Sequence, residues 1–137
     1  MKINIKPDKG KAKSIREIIK DRRKFVSTYG DKIYSTVICE NYYEIIKELA
    51  VAIFLAKGNK FIGQYAHKEL FEEMSNLFKF DSTIISFLED FRTRRNGSMY
   101  YGQPFDKSFL DNHLPKILDI IKKLDMFLDH ELKEENE

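Results

Sequence analysis

The sequence predicts an all-α protein, an up-and-down antiparallel bundle of four to five helices. Three observations support this fold class. Apolar residues recur at helical spacing along most of the chain. Only six glycines and three prolines occur in 137 residues, so few positions break a helix. The connections between periodic segments are short, which favours antiparallel neighbours.

The chain is expected to form one large domain with a short segment at each end. Residues 1–10 are predicted to be a flexible N-terminal arm, because Pro7 and Gly10 interrupt a brief alternation that could otherwise add to a sheet as an edge strand. Residues 11–133 form the predicted helical-bundle domain, and residues 134–137 an acidic tail. We expect five helices and no stable strand.

Glycines mark the predicted ends of the first two helices, at Gly30 and Gly58. The second helix covers residues 32–57 behind a cap at Asp31, and its apolar stripe is too wide for a surface helix. It is therefore predicted to be the central helix of the bundle. A shorter third helix follows over residues 64–79.

The last helix is predicted to start near Asn112, because Pro115 fits best in the first turn of a helix. Before it, Asp106 is a plausible cap for a separate turn of helix. The apolar residues that follow Pro115 recur on one face. This helix therefore packs one side against the bundle.

The composition excludes several classes of protein. The net charge is +2, and no apolar run approaches the length of a membrane span. The single cysteine, Cys39, excludes an internal disulfide and a thiolate zinc site, and it fits a reducing cytosol. No secretory signal is evident, so a cytoplasmic protein is predicted. No phosphate-loop, dinucleotide-binding or zinc-protease motif occurs, and we expect neither a metal nor a cofactor.

The fourth helix, capped by Asp81 or Ser82, is predicted to end in a group of arginines that forms the candidate functional site. A polar break at residues 96–98 and two adjacent tyrosines follow. Guanidinium groups are always charged and present a planar fork of donors that suits anions, while exposed tyrosines can stack on bases. The candidate ligand-binding residues of this Arg/Tyr loop are Arg92, Arg94, Arg95, Asn96, Tyr100 and Tyr101.

Two stretches together resemble the HEPN family of small helical-bundle proteins. Residues 42–74, YYEIIKELAVAIFLAKGNKFIGQYAHKELFEEM, are similar to the family's long second helix, its KG-type turn and the start of its third helix. That start commonly carries a histidine, which corresponds to His67 here. Residues 92–102 resemble the family's signature, an arginine often followed by asparagine and then, after four to six residues, a histidine.

The resemblance implies a homodimer in which the two signature motifs face each other. It also implies two kinds of activity. Catalytically competent members are metal-independent ribonucleases, often toxins encoded beside a minimal nucleotidyltransferase that neutralises them. Other members are non-catalytic modules that bind nucleotides or serve as scaffolds.

The signature is matched only in part. Either Arg94 or Arg95 corresponds to the motif arginine, and Asn96 to the polar residue after it. The histidine has no counterpart, because five positions beyond Arg95 stands Tyr100, and five beyond Arg94 a methionine that places Tyr101 at the motif tyrosine. His67, as a lone histidine, is expected to be structural. His113 is the residue that could fold back toward the loop.

Three functions are consistent with these residues. The favoured one is a module that binds nucleotide, RNA or a partner protein through the Arg/Tyr loop, and the resemblance implies a toxin–antitoxin pair as one setting for it. The alternative is a ribonuclease toxin in which Arg95 binds the phosphate and Tyr100 replaces the histidine. A structural helical dimer with no ligand is the third. Binding is favoured over cleavage because tyrosine, with an ordinary pKa of about 10, is poorly suited to proton transfer near neutral pH.

Overall fold

The computed structural model describes residues 1–31 and 35–133, and over these ranges it is a five-helix bundle, which confirms the all-α prediction. The predicted start of the second helix after Asp31 and the predicted acidic tail lie outside the described residues. In chain order the elements are β1 (Lys2–Asn4), α1 (Lys9–Tyr29), α2 (Ser35–Lys57), β2 (Asn59–Phe61), α3 (Ala66–Phe78), α4 (Ser82–Tyr101) and α5 (Lys107–Leu132).

Helix α2 is the centre of the bundle, as its wide apolar stripe predicted. It packs against α1, α3, α4 and α5. Ile46, Leu49 and Ile53 are each 0% exposed, and buried residues occur on every side of its C-terminal half. The helix ends where Gly58 takes a positive φ of 95°, the left-handed conformation that favours glycine.

The N-terminal segment is not the flexible arm that we predicted. Strand β1 pairs antiparallel with β2, with Ile3 opposite Lys60. The backbone N–H of Ile5 then donates to the carbonyl of Gly58 at 2.9 Å, and the Asp8 side chain caps α1. The segment pairs despite Pro7 because the strand ends before the proline is reached. The expectation of no strand is therefore wrong as well.

Helix α4 runs through the stretch that was predicted to be a polar break and a loop. Gly97 is buried inside the helix, and its carbonyl accepts a hydrogen bond from the backbone N–H of Gln103 at 3.1 Å. The helix ends only at Gly102, which adopts the left-handed conformation with φ 67°. The Arg/Tyr segment is thus helical, and its side chains are divided among the faces of one helix.

Burial of Phe91 holds this part of α4 in place. The ring of Phe91 is 0% exposed and lies 5.5 Å, centroid to centroid, from the ring of Tyr43 on α2. It also lies 5.7 Å from Phe109 on α5. Aromatic pairs at such distances add to the stabilisation from burial. Packing on both sides of α4 outweighs the local break signals.

Gly97 and Gly102 provide a test of where α4 ends. Gly102→Ala is expected to lower the free energy of unfolding by about 1 kcal/mol, because alanine is strained at positive φ. Gly97→Ala should be neutral or stabilising by up to about 1 kcal/mol. A Cβ at position 97 would meet only the mobile end of Gln103, whose Oε1 lies 2.6 Å away and can rotate. Urea denaturation measures both changes, and the reverse ranking would place the helix end at the predicted break.

Helix α5 begins earlier than predicted, at Lys107 rather than near Asn112. Asp106 caps it by accepting a hydrogen bond from the backbone N–H of Phe109 at 2.8 Å. Pro115 therefore lies inside the helix, not in its first turn. Burial of Phe109 stabilises the early turns even though Pro115 has no N–H to donate. In the described ranges, no helix combines the length and the apolar character needed to cross a membrane.

Candidate functional site

One face of α4 carries three of the six candidate residues. Successive residues of a helix are rotated by about 100°, so side chains four positions apart fall on the same face. Arg92, Asn96 and Tyr100 follow this spacing and line a common cleft against the start of α3. The other three candidates are directed elsewhere by the same geometry. The sequence grouped six residues, and the helix separates them.

This cleft, which we call the α3–α4 cleft, has a volume of about 540 Å³. Its walls combine cations, hydrogen-bonding groups and exposed aromatic rings. Tyr100 and Tyr65 are 70% and 61% exposed at its rim. The residues that line it are Gly63, Gln64, Tyr65, Ala66, His67, Lys68, Arg92, Asn96 and Tyr100.

Arg92 is the most enclosed cation of the α3–α4 cleft. Its side chain is 18% exposed and forms an ion pair with Glu89 one turn earlier, whose side chain is 54% exposed. The Arg92 Nε is buried without a hydrogen-bond partner among the described residues. A buried donor without an acceptor is unfavourable. Arg92 therefore has hydrogen-bonding capacity that Glu89 does not use.

The first turn of α3 forms the opposite wall. Tyr65 occupies its N-cap position, and no side chain accepts a hydrogen bond from the helix there. The first backbone N–H groups of a helix have no partner within it, and they carry the positive end of the helix dipole. Both properties favour an anion. The cleft thus brings the N-terminus of α3 to Arg92, although the backbone N–H of Ala66 already donates to the Gly63 carbonyl at 3.2 Å and Glu69 lies in the first turn.

His67 is the functional candidate that the sequence argument set aside as structural. It lies in the first turn of α3 and lines the same cleft as Arg92. Partial burial lowers the pKa of its imidazole, and the charges of Lys47, Arg95 and Arg92 lower it further against the opposing effect of Glu44. His67 is therefore neutral at neutral pH and free to accept a proton. The cleft contains a histidine beside an arginine, although the two are 25 positions apart.

Arg95 faces α2 and forms part of an ion-pair network. One of its terminal nitrogens donates to Glu44 Oε1 at 2.9 Å, and the guanidinium lies over the ring of Tyr43. Glu44 also pairs with Lys47 at 2.6 Å. Burial acts to raise the pKa of Glu44, but the hydrogen bond and charge of Lys47, together with Arg95, hold it below its ordinary value. Arg95 and Tyr100 therefore do not line a common cavity.

Arg94, Tyr101 and His113 lie away from the α3–α4 cleft. The Arg94 guanidinium lies over the ring of Phe109, 4.8 Å from its centroid, and Tyr101 is 78% exposed. His113 packs against Phe109 with ring centroids 4.6 Å apart. Its pKa is lowered by burial, then by the charge of Lys116. His113 thus comes near Arg94 but does not complete the cleft.

Cysteine and metal chemistry find no support in the described residues. Burial raises the pKa of the Cys39 thiol to about 12, so the reactive thiolate is scarce at neutral pH. Within residues 1–31 and 35–133, no group of three or more histidine, cysteine, aspartate or glutamate side chains is arranged to hold a metal ion.

Comparison with known proteins gives no relative from which to transfer a function. No family model matches this chain, and no curated protein or solved structure is significantly similar to it.

Proposed function

We propose that the protein is a HEPN-like module that binds the phosphate of RNA or a nucleotide in the α3–α4 cleft. One observation carries this proposal: Arg92 and Asn96 of α4 line a single cleft with the N-terminus of α3, which no side chain caps. Guanidinium and helix N-termini are both suited to phosphate. The two tyrosines at the rim supply exposed rings for a base.

The setting of this function follows from the resemblance. A cytoplasmic protein would meet RNA and nucleotides directly. We also propose that the protein forms a homodimer. A minimal nucleotidyltransferase as its partner would place the module within a toxin–antitoxin pair. Light scattering tests the homodimer, because a mass that stays monomeric at all concentrations contradicts it.

Arg92→Ala tests the phosphate contact. We expect the mutant to bind single-stranded RNA roughly 10- to 100-fold more weakly, because charge-assisted hydrogen bonds contribute about 1.5–3 kcal/mol each. Isothermal titration with RNA and with inorganic phosphate measures the loss. Arg94→Ala is the matched control, since Arg94 lies on the same helix outside the cleft, and it should bind within about two-fold of the parent.

Three results would contradict the proposed phosphate site. Equal binding by the parent protein and Arg92→Ala would remove the cleft as the site. Binding by neither protein would support a structural helical dimer with no ligand. A stronger effect of Arg94→Ala would move the site to the other face of α4.

Metal-independent RNA cleavage is a second candidate function, and one observation favours it. His67 and Arg92 line the same cleft, and the lowered pKa of His67 favours the neutral imidazole, so the two side chains would supply a base and a phosphate contact. The residues in these roles would be His67 and Arg92. They replace the pair of Arg95 and Tyr100 named from the sequence.

A further inference from the structure

A second cavity adjoins the α3–α4 cleft and shares two of its lining residues, Ala66 and His67. Its volume is about 170 Å³, and it lies between α2, α3 and β2. We call it the Phe61 cavity. Because Ala66 and His67 line both spaces, the Phe61 cavity and the α3–α4 cleft lie next to each other.

The chemistry of the Phe61 cavity differs from that of the cleft. Val51, Leu55 and Leu70 form apolar walls, and the ring of Phe61 supplies an aromatic surface. Asn59 adds an amide, whose nitrogen donates to the side chain of Asn4 and whose oxygen can accept a hydrogen bond. An apolar space with one polar amide is typical of sites for planar heterocycles.

Cations line both of these neighbouring spaces. Lys11 and Lys60 line the Phe61 cavity itself, and Arg92 and Lys68 line the adjoining cleft. An internal nucleotide of a strand has a phosphate on the 5′-oxygen and another on the 3′-oxygen of the sugar that carries its base. A mononucleotide has only one of the two phosphates. The arrangement of charge therefore matches a strand better than a free nucleotide.

We propose that the Phe61 cavity receives one base of a single-stranded RNA. One phosphate of that nucleotide lies on Arg92 in the α3–α4 cleft and the other on Lys11 and Lys60. This inference rests on the proposed function, because it takes the Arg92 side as a phosphate site. Stacking on Phe61 holds the base, and sequence preference arises at Asn59.

A nucleoside 3′,5′-bisphosphate is the minimal probe, because it carries one base and both phosphates on a single sugar. We expect adenosine 3′,5′-bisphosphate to bind the parent protein at least about ten-fold more tightly than inorganic phosphate, since stacking on an aromatic side chain is worth roughly that factor. The affinity for adenosine 5′-monophosphate should fall between these two affinities. The double variant Lys11→Ala, Lys60→Ala should bind the bisphosphate no better than the parent binds the monophosphate.

Val51→Phe fills the cavity without changing a charge. This variant should bind the bisphosphate no more tightly than inorganic phosphate, and its affinity for inorganic phosphate should equal that of the parent. Val37→Phe is the matched control, because it adds the same ring at a position of α2 that is 40% exposed. Phe61→Leu is a second variant that removes the stacking surface and keeps an apolar side chain, and it should give the same selective loss if Val51→Phe fails to fold.

The outcomes separate this inference from the proposed function. If the bisphosphate and inorganic phosphate bind equally, and Arg92→Ala weakens binding of both, the phosphate site in the α3–α4 cleft is supported. The proposed base site in the Phe61 cavity is then wrong. If the cavity variants weaken both ligands equally, the base cavity is also wrong. If Arg92→Ala changes neither ligand, or the parent binds neither, the proposed function and this inference fail together.

Discussion

Replacing Arg95 with alanine is expected to lower the free energy of unfolding by about 2–4 kcal/mol, somewhat less than the about 3–5 kcal/mol for breaking a fully buried ion pair, because Glu44 keeps Lys47 as a partner. Its side chain is 15% exposed and that of Glu44 is 13% exposed. The mutant would leave Glu44 with Lys47 alone and would uncover the ring of Tyr43. Urea denaturation at neutral pH measures the change.

The pH dependence identifies the electrostatic part of this loss. The folded-state pKa of Glu44 is below its ordinary value of 4.5, so its ion pairs contribute fully above pH 4.5 and are lost as the pH falls through the lowered pKa. The difference in stability between parent and Arg95→Ala should therefore shrink in acid. A difference that is constant with pH would assign the loss to packing on Tyr43.

Arg94→Ala is the control for this prediction as well. Arg94 and its partner Asp90 are each 49% exposed, and pairs of this kind contribute about 0–1 kcal/mol. An equal loss of stability for Arg94→Ala and Arg95→Ala would contradict the buried network.

The expected loss of stability also affects how assays of function are interpreted. A loss of activity in Arg95→Ala is expected from its effect on folding, whereas Arg92→Ala should lose less stability, because its ion-pair partner Glu89 is 54% exposed.

The sequence predicted the features that depend on local periodicity. The apolar stripe of α2 identified the central helix, and Gly58 its end, because both signals act within a few residues. The burial of Glu44 and the pairing of β1 with β2 depend on contacts across long separations. Ile3 lies opposite Lys60, and no local pattern records that register.

The arginine segment shows where local signals mislead. Gly97 and Ser98 are typical of a helix end, yet Gly97 is buried inside α4, and the Ser98 hydroxyl donates to Glu40 on α2 at 3.0 Å. Tertiary packing overrides propensity here. The sequence likewise did not predict that His67 and Arg92 line one cleft, because this depends on which faces of α3 and α4 are adjacent. The histidine in GQYAH was the available signal, and it lay outside the arginine segment.

Replacing His67 has the largest expected effect if the protein cleaves RNA. In that reaction the neutral imidazole takes the proton of the ribose 2′-hydroxyl, the 2′-oxygen bonds to phosphorus and the bond from phosphorus to the 5′-oxygen breaks. Water protonates the leaving 5′-oxygen, and a 2′,3′-cyclic phosphate remains. His67→Gln cannot accept the proton, so its rate should fall by about 10²- to 10⁴-fold. Detection of the cyclic phosphate by mass spectrometry measures the reaction.

The pH profile distinguishes a base from a residue that only positions the substrate. Because His67 must be neutral to act, the rate should rise as the pH increases through its lowered pKa and then level off above the ordinary value of 6.5. His67→Gln should lose that rise, whereas His113→Gln should keep it, since His113 packs on Phe109 outside the cleft. Cleavage by His67→Gln at the parent rate would exclude this role. Binding without any cleavage by the parent would leave the phosphate-binding module as the function of the α3–α4 cleft.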